Sequence, residues 1–260
     1  GGMKMAKTNV YSAKGDVSGT IEVPEVFATP YRPDVIRKSV LAAASNGRQP
    51  YGPEKDAGIK HSVSTWGKGR GVARVQRLSG GRKAAESPNN VSGRRAHPPT
   101  PERDWSLKVN KKERALARMS ALAATADAER VKCRGHSFDD AVSFPLVISD
   151  DAQEIGTAAG VNELFEKIGI GYDLDRAKDG RKIRAGKGKM RNRKYRTPVS
   201  ILLVVTDREV PIARGANNLP GVQIETVSGL NASVLAPGGD AGRLTVFTES
   251  AIKAIGGWAQ

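Results

Sequence analysis

Residues 60–98 limit most strongly what this chain can fold into, because they cannot form a core of their own. They contain nine Lys or Arg residues, six glycines and a single acidic residue, Glu86. Their few large apolar residues follow neither the period of a helix nor that of a strand. The backbone polar groups therefore need partners outside the protein interior. Since glycine permits close backbone approach and arginine binds phosphates and stacks on bases, the stretch indicates an extension that becomes ordered on RNA.

The positive charge of the chain is concentrated in two segments. The 260 residues carry a formal net charge of +15. Residues 47–104 hold 12 basic and 5 acidic residues, or +7, and residues 176–197 hold 11 basic and 1 acidic residue, or +10. The remainder has 19 basic against 21 acidic residues, or −2. Localised basic segments on a balanced body are typical of nucleic-acid-binding proteins, whereas an ordinary solvated surface mixes both signs.

The composition argues against several other classes of protein. Cys133 is the only cysteine, so the sequence has no disulfide and no Cys-based zinc site, which fits a reducing, cytoplasmic setting. No apolar run approaches the ~20 residues needed to cross a bilayer. The first ten residues also lack the apolar region of a signal peptide. We therefore expect no membrane partner.

Two predicted helices flank the first basic segment. The pattern predicts a helix over residues 33–45 and another over residues 110–128, where Asn110 and Glu113 suggest a capping box. About 60 residues without a clear pattern lie between them, and a loop of that length is either functional or disordered. Trp66 and the absence of low-complexity repeats favour a functional loop.

The rest of the chain alternates between predicted strands and helices. Residues 200–206, SILLVVT, form a continuous apolar run, as expected of a strand buried on both faces. This order predicts an α/β fold in which helices cover a mostly parallel sheet. The second basic segment, 176–197, is predicted to be an irregular arm because glycines interrupt it. The other predicted strands are 8–11, 20–23, 144–149, 222–227 and 244–248, and the other predicted helices are 160–168, 209–217, 230–236 and 249–255.

The sequence contains no convincing catalytic, cofactor or metal site. Glycines alternate within residues 67–71 and 186–188, but neither run lies between a predicted strand and a predicted helix, as a phosphate-binding loop requires. Cys133 and His136 form a lone Cys-x-x-His pair, which without a second pair is not a metal motif. We find no set of nucleophile, base and orienting residue. We therefore expect neither an enzyme nor a bound cofactor or metal.

The candidate RNA-binding residues are the basic and aromatic side chains of the two segments. Lysines and arginines would neutralise crowded phosphates, and Trp66 or His61 would stack on a splayed base. The candidates are Arg48, Lys60, His61, Trp66, Lys68, Arg70, Arg74, Arg77, Arg82, Lys83, Arg94, Arg95, His97, Arg181, Lys182, Arg184, Lys187, Lys189, Arg191, Arg193, Lys194 and Arg196.

Eight strings give the chain a specific resemblance to a known family. They are RQPYG at 48–52, KHSVSTWGKGRGVARVQRL at 60–78, GRRAHPP at 93–99, NKKERALA at 110–117, KIRAGKGKMRNRKYR at 182–196, NLPGV at 218–222, LNASVLAPGG at 230–239 and GRLTVFTESAI at 242–252. With these strings the sequence resembles the universal large-subunit ribosomal protein L4 family, in its archaeal and eukaryotic branch. The resemblance spans nearly the whole chain, and residues 148–180 are its least distinctive part.

The resemblance implies a three-layer, Rossmann-like domain on the outer surface of the large ribosomal subunit. Residues 1–46 and 105–260 would form this domain. Residues 47–104 would form a long extended loop lacking regular structure, which penetrates the ribosomal RNA and reaches the wall of the peptide exit tunnel. The implied tip of the loop consists of Trp66, Gly67, Lys68, Gly69, Arg70, Gly71, Val72, Ala73 and Arg74.

The resemblance also implies a set of partners. They are large-subunit ribosomal RNA, neighbouring ribosomal proteins, including a second protein at the tunnel constriction, and the nascent polypeptide in passing. Our interpretation is a structural RNA-binding protein that aids subunit assembly and shapes the tunnel. One alternative is an α/β RNA-modifying enzyme, which would need a cofactor loop at the carboxyl end of a strand. The other is a non-ribosomal RNA- or DNA-packaging protein, which would spread its basic residues without a folded half.

Overall fold

The computed structural model describes residues 7–91 and 93–259. The chain divides into two compact units. One, here called the body, comprises Gly1–Ala43 and Lys108–Gln260, and the other, the loop unit, comprises Ala44–Leu107.

Ten strands and eight α-helices are present in the described residues. The strands are β1 (Lys7–Tyr11), β2 (Val17–Glu22), β3 (Val63–Ser64), β4 (Arg77–Leu78), β5 (Leu146–Ile148), β6 (Lys182–Ile183), β7 (Tyr195–Arg196), β8 (Leu202–Val205), β9 (Gln223–Thr226) and β10 (Thr245–Thr248). The α-helices are α1 (Pro33–Asn46), α2 (Lys111–Ala123), α3 (Ala128–Cys133), α4 (Ala158–Ile168), α5 (Gly171–Asp179), α6 (Pro211–Ala216), α7 (Ala232–Leu235) and α8 (Glu249–Gly256).

The body is built on a six-stranded sheet with the order β2-β1-β5-β10-β8-β9. Strand β2 pairs antiparallel with β1, and every other neighbouring pair is parallel. The helices that connect the parallel strands return the chain to the same edge of the sheet, as the alternating pattern predicts.

Helices cover both faces of this sheet, which gives the body three layers. Leu202 and Val204 of β8 contribute to one apolar cluster, together with residues of α1, α2, α7 and α8. Leu203 and Val205 contribute to the opposite cluster, together with residues of α3, α4, α5 and α6. All four side chains are fully buried, as a strand covered on both faces requires. The predicted α/β class and mostly parallel sheet are confirmed.

The second predicted helix differs from its prediction at both ends. Asn110 occupies the N-cap position of α2, but its side chain makes no capping hydrogen bond, so the predicted capping box is wrong. Glu113 instead accepts a hydrogen bond from Lys38 of α1 at 2.8 Å. The helix also ends at Ala123, because Asp127 caps a new helix, α3, by accepting from the backbone N–H of Glu129 at 3.0 Å.

The second basic segment is more regular than predicted. Helix α5 extends to Asp179, since Leu174 and Ala177 are buried in the body. Strands β6 and β7 then pair antiparallel around a 3-10 turn at Gly186–Arg191. The prediction of an irregular arm over residues 176–197 is therefore wrong for its first four residues and incomplete for the rest. We call residues 182–196 the basic hairpin.

Candidate nucleic-acid interface

Hydrogen bonds between side chains and backbone close the base of the loop unit. Ser45 donates its Oγ–H to the carbonyl oxygen of Trp105 at 2.6 Å. Asn46 and Leu107 exchange two bonds, with the Leu107 N–H donating to Asn46 Oδ1 at 2.8 Å and Asn46 Nδ2 donating to the Leu107 carbonyl at 3.2 Å. The guanidinium of Arg48 lies 3.8 Å from the centre of the Trp105 ring. The two ends of the loop unit are thereby held side by side.

A small hairpin organises the far part of the loop unit. Val63 pairs with Leu78 and Ser64 with Arg77 in the two-residue strands β3 and β4, which are the described strands of this unit. Arg77 also donates through Nη2 to the carbonyl of Ala73 at 3.0 Å, and its guanidinium lies 5.6 Å from the ring of Trp66. Arg77 and Trp66 are therefore half-buried and shape the turn between the strands.

The turn of this hairpin contains three glycines whose backbone conformation is left-handed. The φ angles of Gly67, Gly69 and Gly71 are +74°, +78° and +67°. A Cβ added at any of them would meet no heavy atom within 4 Å. Glycine is therefore favoured at these positions by the left-handed backbone angle and not by tight packing. The side chains of Lys68 and Arg70, which lie between the glycines, are exposed.

Cations in and beside the basic hairpin of the body lie around one aromatic residue. The guanidinium of Arg181 lies 4.4 Å from the centre of the Tyr195 ring, and Lys194 Nζ lies 5.5 Å from it. Arg184 donates through Nε to the carbonyl of Arg193 at 3.0 Å and is half-buried. Apart from Trp66, Arg77 and Arg184, every candidate RNA-binding residue is exposed.

A buried carboxylate anchors polar side chains at the amino ends of the parallel strands. Asp173 is fully buried, and Arg176 Nε and Ser200 Oγ donate to it at 2.8 and 2.6 Å. His136 Nδ1 lies 3.1 Å from both of its oxygens. Burial opposes ionisation, but the bonds from His136, Arg176 and Ser200 outweigh it, so the pKa of Asp173 lies well below its usual range. We call these residues, with Arg243, the amino-edge network.

Arg243 extends this network beneath strands β8 and β10. It is 1% exposed and donates through Nε to the Ser200 carbonyl at 3.2 Å. Its Nη1 donates to Gln223 Oε1 at 2.7 Å and to the Val234 carbonyl at 2.9 Å. Burial lowers the pKa of Arg243 to about 10, so the guanidinium stays charged at neutral pH and its bonds stay formed.

A pocket of about 550 Å³ opens above the amino-edge network. Arg130, Arg134, Arg176 and Arg196 line it, together with Tyr31 and several apolar residues. We call it the arginine pocket. The pocket was not predicted from the sequence, although Arg196 is a candidate RNA-binding residue and Arg176 begins the second basic segment. The only available signal was that charged segment, since Arg130 and Arg134 lie on and beside α3 without any distinctive motif.

The carboxyl edge of the sheet, where α/β proteins usually bind cofactors, is occupied by side chains bonded to one another. Asp150 accepts from Gln153 Nε2 at 2.6 Å and from the Ser250 N–H at 3.1 Å. Thr206 Oγ1 lies 2.9 Å from Ser250 Oγ. Across residues 7–91 and 93–259, no three His, Cys, Asp or Glu side chains form a group that could hold a metal ion. Within the same residues, no helix has the length and apolar character needed to cross a membrane.

Comparison with known proteins gives matches over both units of the chain. The sequence profile of the Ribosomal protein L4/L1 family matches residues 21–258. The protein named Large ribosomal subunit protein uL4 of Archaeoglobus fulgidus is 47% identical over 252 residues, which cover 97% of this chain and 99% of that protein. The proteins of the same name from Methanosphaera stadtmanae and Methanococcoides burtonii are 47% and 49% identical, and the alignments cover 97% and 95% of this chain and 97% of each relative.

Proposed function

The chain belongs to the ribosomal protein L4/L1 family, and from this premise we propose that its loop unit penetrates ribosomal RNA while its body docks on the RNA surface. The chain is a structural constituent of the large ribosomal subunit and associates with large-subunit ribosomal RNA. The observation that carries the proposal is the turn of the loop hairpin, where exposed Lys68 and Arg70 alternate with glycines that have open space around them. Such a turn can lie directly against a phosphate backbone.

We further propose that residues 66–74 line the peptide exit tunnel. There they would meet a second ribosomal protein at the constriction and touch the nascent polypeptide in passing. Support comes from the pairing of β3 with β4, which makes these residues the turn of a hairpin and places their side chains at its end. The closed base at Trp105 lets the intervening chain extend as one arm.

The proposed role is non-catalytic and belongs to ribosomes in the cytoplasm, where the protein would also aid subunit assembly. The family is a structural one, and the polar side chains at the carboxyl edge bond to each other. This arrangement supports a docking body over an RNA-modifying enzyme. The two apolar clusters of the body likewise favour a folded docking domain over a packaging protein.

Neutralising the turn of the basic hairpin should flatten the salt dependence of RNA binding. In a variant with Lys187, Lys189, Arg191 and Arg193 all changed to Gln, the slope of log affinity against log salt should fall by roughly 2–3, because about 0.7 is lost for each single-stranded phosphate contact. All four side chains are exposed, so the fold should not change. Fluorescence anisotropy with a large-subunit ribosomal RNA fragment between 50 and 300 mM salt measures the slope.

The matched control removes the same charge elsewhere on the body. Lys14, Lys167, Arg208 and Arg214 are exposed and lie outside the proposed interface, so changing them to Gln should leave the slope nearly unaltered. If both variants flatten the slope equally, only net charge matters and the assignment of the basic hairpin is wrong.

A further inference from the structure

We propose that the arginine pocket binds one nucleotide of an RNA chain, with the phosphate on its arginines and the sugar and base against its apolar wall. The proposal rests on the proposed function, since it assumes an RNA partner. It adds a specific site in the body, which joins Arg176 and Arg196 of the second basic segment with Arg130 and Arg134 from outside both segments.

The charge of the pocket favours an anion. Arg130, Arg134, Arg176 and Arg196 line it against a single acidic residue, Asp240. Asp240 also accepts from Arg37 at 3.3 Å, which further reduces its capacity to neutralise the pocket. A phosphate bound among planar guanidinium groups would relieve their mutual repulsion and accept their N–H donors in pairs.

Two of these arginines have no acidic partner in the part of the chain that the structure describes. Within the described residues, Arg134 and Arg196 form no salt bridge, whereas Arg130 pairs with Asp127 at 2.9 Å. Arg134 donates through Nη2 to the Pro237 carbonyl at 2.8 Å, but its Nη1 is buried without a partner among those residues. The guanidinium charge of Arg134 therefore has no paired carboxylate to balance it among the described residues, and a ligand with anionic oxygens is the chemistry that fits.

The other two arginines are held in place before any ligand arrives, Arg176 by the amino-edge network and Arg130 by Asp127 and Tyr31. Arg176 donates through Nη2 to the Val199 carbonyl at 2.8 Å while its Nε is bonded to Asp173. The guanidinium of Arg130 lies 3.8 Å from the centre of the Tyr31 ring. Side chains that are already fixed lose little conformational entropy on binding, which favours a specific site over a diffuse attraction.

The shape of the pocket points to a whole nucleotide on an RNA strand. Its volume of about 550 Å³ exceeds what a phosphate ion needs and lies within the range of roughly 300–1,000 Å³ common for ligand sites. Tyr31 and Val199 offer apolar surface, and they are 37% and 40% exposed. Arg196 belongs to β7, so the pocket continues into the basic hairpin. An RNA strand bound along the basic hairpin would therefore reach the arginine pocket.

Photochemical crosslinking tests this site directly in the full-length chain. The probe is a single-stranded 12-nucleotide RNA containing 4-thiouridine, and the crosslinked residues are mapped by mass spectrometry. We expect crosslinks at Tyr31 or Val199 in the wild-type protein. Arg134→Gln and Arg196→Gln should each reduce the yield of the crosslinks at both residues, and Val199→Glu the yield at Tyr31, by about tenfold or more, because a charge-assisted contact is lost or an anion is introduced. The exposed Arg196 and Val199 can change without disturbing the core.

Two matched controls separate the pocket from net charge. Arg208→Gln removes the same charge near the carboxyl end of β8, and Val17→Glu adds the same charge on the exposed face of β2. In both variants, the yield of crosslinks at Tyr31 and Val199 should stay within about twofold of the wild-type yield. Free AMP and inorganic phosphate, added at tenfold excess over RNA nucleotides, should not remove the crosslinks.

The possible outcomes are distinct. Crosslinks confined to other residues, or an unchanged yield in all three pocket variants, would overturn the pocket while leaving RNA binding intact. Removal of the crosslinks by AMP or phosphate would show a site for free phosphate compounds and would also overturn it. A wild-type chain that crosslinks nowhere and does not bind the RNA would contradict the proposed function itself.

Discussion

Changing Asp173 to Asn is expected to lower the free energy of unfolding by about 3 kcal/mol and the melting temperature by roughly 6–12 °C. The carboxylate is fully buried and accepts bonds from Arg176 and Ser200, with His136 at 3.1 Å. A neutral amide cannot compensate the charge of half-buried Arg176 or accept all of these bonds, and the buried His136 and Ser200 lose their partner. Thermal melting followed by circular dichroism measures the change.

The control for this prediction lies on the same helix. Asp175 is exposed, so Asp175→Asn should alter the free energy of unfolding by less than about 0.5 kcal/mol. A melting temperature for Asp173→Asn within about 2 °C of wild type would show that the amino-edge network contributes little to stability.

The same carboxylate should make stability depend on pH in a definite direction. The pKa of Asp173 is lower in the folded protein than the ~3.9 expected in the unfolded chain, so its ionised form stabilises the fold above about pH 4. This stabilisation is lost as the pH falls from there towards the folded-state pKa. The difference in the free energy of unfolding between wild type and Asp173→Asn should therefore have its largest value at pH 7 and pH 5 and be smaller at pH 3. Urea denaturation at these three pH values measures it, and a difference that grows on acidification would contradict the assignment.

Most of the fold follows from local patterns in the sequence. The continuous apolar run at residues 200–206 became β8, buried on both faces, and the periodic stripe at 33–45 became α1. Short predicted helices near 209–217 and 249–255 are present as α6 and α8. These elements were predictable because a strand buried on both faces leaves a continuous apolar run, and a helix buried on one face leaves a periodic one.

The amino-edge network could not be predicted in the same way. His136, Asp173, Ser200 and Arg243 lie far apart in the sequence. Ser200 and Arg243 precede the neighbouring parallel strands β8 and β10, and helix α5 brings Asp173 to the same edge, where His136 meets it. The positions of these four residues in the sequence form no motif that would identify them as partners. Charge composition located the second basic segment, but only the folded body joins Arg196 with Arg134 of another element in one pocket. The sequence therefore predicts which segments are charged, and the tertiary fold decides which charges act together.

Replacing residues 60–98 with a short Gly/Ser linker is expected to leave the body folded, with a melting temperature within about 3 °C of wild type. The described residues of both apolar clusters lie outside this segment, so the core should not depend on it. The bonds that Ser45 and Asn46 make to Trp105 and Leu107 remain and hold the chain ends together. Closing a shorter loop costs less entropy, by about 0.6 kcal/mol for each halving of its length.

The functional effect of this replacement should be much larger than its effect on stability. The variant loses the proposed tunnel element at residues 66–74 but keeps the basic hairpin and the arginine pocket, so it should enter large subunits and leave a wider constriction. A second variant with a Gly/Ser segment of the original length separates the chemistry of the loop from its length. Sucrose-gradient sedimentation measures incorporation, and a map of the assembled subunit measures the constriction.

The failures of this experiment would each identify a different error. If the short-linker variant does not melt cooperatively, the loop unit supports the core and the body is not an independent unit. If it melts like wild type but never enters subunits, the loop is the main RNA anchor, and the body contributes less to docking than the basic hairpin suggests. If it enters subunits and the constriction keeps its width, residues 66–74 do not line the tunnel. Only a folded, incorporated variant with a wider tunnel supports the division of roles, in which the body docks by its cations and the loop forms the wall.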